Sequence, residues 1–175
     1  KGFAIPTHVD PALPYSDPAF DPFWARAQEY GLPLTMHIFT GQSLDGGLPA
    51  HWGTPGGNLK GYTLAHTTAV NSMIDIICGG AVERFPELKF VISEYETGWV
   101  AHTLQRLDHA AYRTPWELAD GLTMKPSEYF DRNFWVTFED DQEGIATRHA
   151  IGVKNLLWGN DYPHHHSIWP NSLPI

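Results

Sequence analysis

Short apolar runs alternate along this chain with longer stretches whose apolar residues recur every three to four positions. The runs fall at residues 3–9, 34–39, 89–94, 134–138 and 155–159, each rich in β-branched or aromatic residues and closed by polar ones. Between them, helical spacing and stop signals predict helices over 21–30, about 64–77 with a brief resumption to Phe85, 98–113 and about 145–151. Asp21-Pro22 reads as an N-cap followed by proline at the first helical position, and Gly31 then Pro33 read as the stop. Val100, Leu104, Leu107 and Ala111 form one stripe of the longest helix. A break at Gly79-Gly80 interrupts the second helix, and Pro86 ends its continuation. Residues 42–61 are rich in glycine and proline and read as a long loop, a feature that is usually functional in a compact domain. Ser127-Glu128 reads as a short turn leading into the fourth strand.

Strand-to-helix alternation implies parallel strands joined by right-handed crossovers. Two architectures fit: an open doubly wound sheet, or part of a (β/α)₈ barrel. A doubly wound nucleotide fold should carry a glycine-rich phosphate turn after its first strand, and none occurs here. A complete barrel takes about 250 residues. Five strands in 175 residues therefore predict a single domain, residues 1–175, forming the C-terminal part of a TIM barrel whose first strands are absent from the sequence.

Composition narrows the partners. Hydrophobic residues make up 42% and charged residues 18%, which suits a folded chain rather than a disordered one. A formal net charge of −9 argues against nucleic acid or an anionic membrane surface as partner. No apolar stretch approaches the roughly 20 residues that span a bilayer. With one cysteine, Cys78, no internal disulfide is possible, and a cytoplasmic setting is expected.

The chemistry-bearing residues gather at the ends of the runs. His37 closes the second, with the parity of Thr35 and Phe39, and an inward histidine there suits a divalent metal; the competing reading is a hydrogen-bonded core histidine. Glu94 closes the third, where a glutamate serves as ligand, base or orienter of a ligating histidine, or stands as a solvated rim residue. Asp161 follows the fifth and suits metal ligation or proton transfer from a bound water, against an Asx-turn role. Three consecutive histidines, His164 to His166, cannot all face one centre, so His164 alone is singled out, as a substrate contact. Trp52, in the long loop, is a candidate pocket wall. His8 has a strand-end position, whereas His66, His102, His109 and His149 fall on predicted helices and read as surface residues.

Three motifs occur in order: Gly31-Leu-Pro-Leu-Thr-Met-His37, Gly79-Gly-Ala-Val-Glu-Arg-Phe-Pro-Glu-Leu-Lys89, and Leu157-Trp-Gly-Asn-Asp-Tyr-Pro-His164. Together they resemble the amidohydrolase-related family of metal-dependent (β/α)₈ enzymes that includes aminocarboxymuconate-semialdehyde and γ-resorcylate-type decarboxylases. The stretches 93–99 and 125–130 are similar to a further branch of it. The resemblance implies a divalent metal, zinc by expectation, held by His37 and Asp161. It also places Glu94 where the decarboxylases carry a catalytic histidine, and on that departure hydrolysis of a small carboxylated or carbonyl compound is the first expectation. Nonoxidative decarboxylation is the alternative, and an inactive fragment the third reading. The family's His-x-His pair on its first strand has no counterpart ahead of His37. The open sheet edges of such a partial barrel imply a homo-oligomer.

Overall fold

A computed structural model of the chain describes residues 2–7, 9–41 and 54–172. Five strands form one sheet: β1 (Phe3–Ile5), β2 (Leu34–His37), β3 (Phe90–Ser93), β4 (Phe134–Phe138) and β5 (Leu156–Trp158). All neighbouring pairs are parallel and the spatial order is β1-β2-β3-β4-β5, the order of the sequence. That order decides the architecture. A doubly wound sheet reverses direction at a switch point and carries helices on both faces. A sheet that never reverses, with right-handed crossovers throughout, puts every helix on one face, as a barrel does.

The crossovers are α1 (Asp21–Tyr30), α2 (Gly57–Leu64), α3 (His66–Cys78), α4 (Ala81–Arg84), α5 (Gly98–Arg113), α6 (Pro126–Asn133), α7 (Gln142–Ala146) and α8 (Arg148–Ile151). Strand alternation explains the core. Leu34 and Met36, Phe90 and Ile92, Phe134 and Val136 are each wholly buried, while Thr35, His37, Val91, Ser93, Trp135 and Thr137 between them are only partly so. The buried set meets Trp24 of α1, Met73, Ile76 and Ile77 of α3, Val100 and Leu104 of α5, and Tyr129 and Phe130 of α6. Rings continue the contact across strands, with Phe90 and Phe134 stacked at 4.8 Å and Trp24 set edge-on to Phe90 at 5.8 Å.

Several expected boundaries move. The first strand ends at Ile5, because Pro6 removes a donor from the ladder. Asp21 lies inside α1, and the capping carboxylate is instead Asp17, which accepts from Ala19 N at the 3-10 turn that precedes the helix. Gly31 takes the left-handed conformation (φ 61°) that stops α1, as its sequence position predicts. The long loop closes earlier than expected, since α2 already runs from Gly57, with α3 following directly. Where Ser127-Glu128 was expected to start a short turn, residues 126–133 form a full helix: Pro126 opens it and Glu128 reaches back to Lys125 N. The last helical segment is two short helices parted at Thr147. Among the described residues no helix is long and apolar enough to cross a membrane.

Candidate active site at the strand ends

The C-terminal ends of the strands collect the polar side chains. His37, last residue of β2, pairs in register with Ser93, and Glu94 follows directly. The His37 ring is held at both nitrogens. Nδ1 lies 3.0 Å from the Ile38 carbonyl oxygen, which only accepts, so this nitrogen carries a proton and Nε2 is the one left to act. Nε2 lies 2.6 Å from Glu94 Oε1. A proton, or a cation in its place, must separate them. Glu94 is itself aimed by its backbone, whose N–H donates to Thr137 Oγ1 at 3.0 Å.

Beyond β5, Asp161 Oδ2 lies 2.8 Å from His164 Nδ1. The structure thus gathers the expected residues into two pairs, His37 with Glu94 and Asp161 with His164. Strands β2 and β5 are three spacings apart, about 14 Å along the sheet. Between the pairs stands Glu139, just past β4, whose backbone N–H donates to Glu96 at 3.2 Å. Its carboxyl is pushed up to about 7 by burial and by Asp161, Glu96 and Glu94, with His164 opposing. Tyr62 of α2 feels the same field: burial first, then Glu139, Glu96, Glu94 and Asp161, push its hydroxyl upward. A cavity of about 230 Å³ joins Tyr62, His66, Glu94, Tyr95, Glu96 and Glu139. On the other side of Tyr62, Phe39, Leu59 and the His164–His166 run line a hollow of about 460 Å³.

Backbone strain falls on the same rim. The non-glycine residues with positive φ among those described are Phe39, Glu94, Glu96 and Asp161, at 53–64°. Each follows a strand end and turns a side chain that regular geometry would send elsewhere, and strain of this kind concentrates at functional sites. Asp141 braces the rim from behind. Burial pushes its carboxyl up, but hydrogen bonds from Gly144 N, Thr97 N, Thr97 Oγ1 and Gly98 N prevail and hold it below the ordinary value. Gly144 is required there, because a Cβ would lie 2.0 Å from Thr97 Oγ1.

Glu139, expected among the polar residues that end the strands and converge on one rim, does stand there. Glu96 escaped the sequence reading, since only its nearness to a strand end hinted at it. His66, expected on an outer surface, instead lines the carboxylate cavity and stacks on Trp99 at 6.0 Å. Its helix starts two residues later than expected and so places His66 at the mouth of the barrel end. Trp52 and His8 lie outside the described residues.

The donor chemistry fits a divalent cation in part. Imidazole nitrogen and carboxylate oxygen are its usual ligands, and the Ile38 carbonyl fixes the His37 tautomer as an outer partner does in metal sites. Among the described residues, however, no three such side chains are arranged to hold one ion. The chain supplies part of a ligand set.

A parallel sheet whose strand order never reverses, with acids and histidines at its strand ends, has the layout of the rim of a (β/α)₈ barrel. Comparison narrows this: the amidohydrolase family profile matches residues 1–174, so the chain belongs to that family. A γ-resorcylate decarboxylase of Rhodococcus jostii (strain RHA1) is 24% identical over all of this chain and 55% of its own length. Two crystal structures superpose with a TM-score of 0.69 at 29% identity. An amidohydrolase of Mycobacterium avium subsp. paratuberculosis K-10 matches 87% of this chain and 38% of its own. The 5-carboxyvanillate decarboxylase of Sphingomonas paucimobilis matches 93% and 48%. The chain spans about half the length of the curated relative it matches.

Proposed function

We propose that this chain carries the strand-end half of a nonoxidative decarboxylase centre acting on a small aromatic acid. The observation that carries the reading is the His37–Glu94 pair, 2.6 Å apart on the rim. The decarboxylases of Rhodococcus jostii and Sphingomonas paucimobilis support it over hydrolysis, the first expectation from Glu94 alone. A divalent cation bound by His37 and Asp161 would supply charge neutralisation for a substrate carboxylate amid the rim acids. Manganese accompanies a dihydroxybenzoic acid decarboxylase of Polaromonas, whose 20% identity conveys fold alone. The imidazole and carboxylate donors of His37 and Asp161 suit zinc and manganese alike, and both stand as candidates here.

The chain's own residues handle the proton. Loss of CO₂ replaces a C–C bond by a C–H bond, so a proton must be delivered to the ring carbon. Glu94 shares one with His37 and is placed to pass it, and Glu139 is a carboxyl that keeps a proton near neutral pH. His164, aligned by Asp161, faces the hollow with Phe39 and Tyr62 and contacts substrate there. Hydrolysis remains the second reading because Glu94, a carboxylate, suits activation of water. Both are assayed on the 175-residue chain loaded with manganese or zinc, using 2,6-dihydroxybenzoate and 5-carboxyvanillate. Release of CO₂ with deuterium from D₂O entering the ring supports decarboxylation. Turnover of esters or amides without CO₂ contradicts it.

We also propose that the chain self-associates, and that its partners are small molecules and copies of itself. Phe3 at one edge of the sheet and Leu157 and Trp158 at the other are 41–54% exposed, a pattern that unpaired edges do not tolerate in dilute solution.

A further inference from the structure

One backbone atom near the rim is approached by more donors than it needs. The His37 carbonyl oxygen accepts from Thr40 N at 3.2 Å and Thr40 Oγ1 at 2.6 Å, and Thr7 Oγ1 and Tyr95 Oη stand 3.4 Å away. A carbonyl has two lone pairs, and each hydroxyl has one proton, so the protons can be assigned. Tyr95 donates to Thr7 Oγ1 at 2.8 Å, Thr7 donates to the Thr40 carbonyl at 3.1 Å, and Thr40 donates to His37. Thr68 of α3 stands 3.3 Å from Tyr95 Oη but donates its own proton to the Ala65 carbonyl at 2.9 Å, so the relay begins at Tyr95. The relay runs one way, from Tyr95 after β3 through Thr7 after β1 into the turn after β2.

That turn is the one that sets the His37 ring. Residues 37–40 reverse through Phe39 at φ 57°, and the Ile38 carbonyl inside the turn is the acceptor for ring Nδ1. Fixing His37 O and Thr40 O fixes the Ile38 peptide between them, and with it the direction of Nε2. Thr7 and Tyr95 are buried, at 2% and 6% exposure, so water does not replace the relay.

We propose that Tyr95, Thr7 and Thr40 are positioning residues for His37, a three-hydroxyl lock on the turn that presents its Nε2 to the rim. The proposal rests on His37 being the metal ligand only for its second readout. The matched control is Ser72, equally buried, which donates to the Thr7 carbonyl at 3.0 Å and reaches no part of the His37 turn.

The test uses the full chain with ¹⁵N-labelled histidine, comparing Tyr95→Phe, Thr40→Val and Thr40→Ser with Ser72→Ala. The first readout is the His37 ring spectrum: Tyr95→Phe and Thr40→Val should broaden its resonances or mix its tautomers, whereas Thr40→Ser and Ser72→Ala keep the wild-type pattern. The second is Mn²⁺ affinity by electron paramagnetic resonance, weakened about 10-fold in the first two variants alone. Wild-type ring spectra in Tyr95→Phe and Thr40→Val overturn the lock, even where His37→Ala abolishes Mn²⁺ binding. So does an equal effect of Ser72→Ala, which marks a merely structural role. Altered ring spectra in a wild-type background that binds no Mn²⁺ uphold the lock and count against the metal reading instead.

Discussion

The two faces of the sheet obey different rules. On the helix side, alternate residues of β2, β3 and β4 are wholly buried and meet apolar rings and methyls, with ordinary backbone geometry. At the strand ends, partly exposed acids and imidazoles crowd together, and the described non-glycine residues with positive φ gather there. The first region lowers the free energy of the fold. The second spends part of it, holding like charges and strained turns in place at the rim where the proposed centre lies. Substitutions should therefore separate cleanly into those that unfold the chain and those that leave it folded but idle.

The largest separation comes from the core. Phe134→Ala removes a ring stacked on both Phe90 and Phe130 and should cost about 3–5 kcal/mol, a large share of the stability of a domain this size. His37→Ala, whose side chain is 44% exposed, should stay within about 1 kcal/mol of wild type. Urea unfolding of the two variants measures the contrast, and equal losses would abolish the distinction between the faces.

Asp141 lies between these extremes, since it braces the rim yet behaves as a structural group. Asp141→Ala leaves the N–H groups of Thr97, Gly98 and Gly144 without their acceptor and should cost about 2–3 kcal/mol by the same measurement. Its folded carboxyl titrates below the ordinary value, so this stabilisation is present above about pH 4 and is lost as pH falls further. A loss within about 0.5 kcal/mol would show that the brace is dispensable.

Glu139 should show the opposite sign. Its folded carboxyl titrates near 7, above the ordinary 4.5, so the folded state binds a proton that the unfolded chain has released. Its contribution is full below about pH 4.5 and is lost as pH rises towards 7. In metal-free buffer, Glu139→Gln should flatten that fall between pH 5 and 7.5. An unchanged slope would place the burden on another rim acid such as Glu96, which burial also pushes upward.

The smallest expected effect concerns the sheet edges. Trp158→Lys adds a charge to an exposed edge residue and should leave stability nearly unchanged while shifting sedimentation towards monomer. A wild-type chain that already sediments as a clean monomer at micromolar concentration would contradict self-association.

What could be read from the sequence follows from the same contrast. Period-two burial in Leu34–His37 and Phe134–Phe138 and the Gly31 stop are local signals, and the five parallel strands stand where those signals put them. His37, Glu94 and Asp161 were visible because each lies at or just past the end of a strand, a position that topology alone carries to one rim. Glu139 was legible in the same way, whereas Glu96 was not singled out and His66 was misread. Their places depend on how α2, α3 and the turn after β3 close over the barrel end, which only long-range packing decides. Residues 126–133 were misread for a local reason: a proline followed by Ser-Glu signals a helix start as well as a turn, and burial of Tyr129 and Phe130 settles the choice.

Metal content of the purified chain tests the central claim most directly. After dialysis against manganese or zinc and removal of the excess, the wild-type chain should retain bound ion, while His37→Ala and Asp161→Ala, both still folded by circular dichroism, should each lose it. Retention in either variant, or wild-type protein that holds no ion at saturating concentration, would mean that the two side chains do not serve one centre.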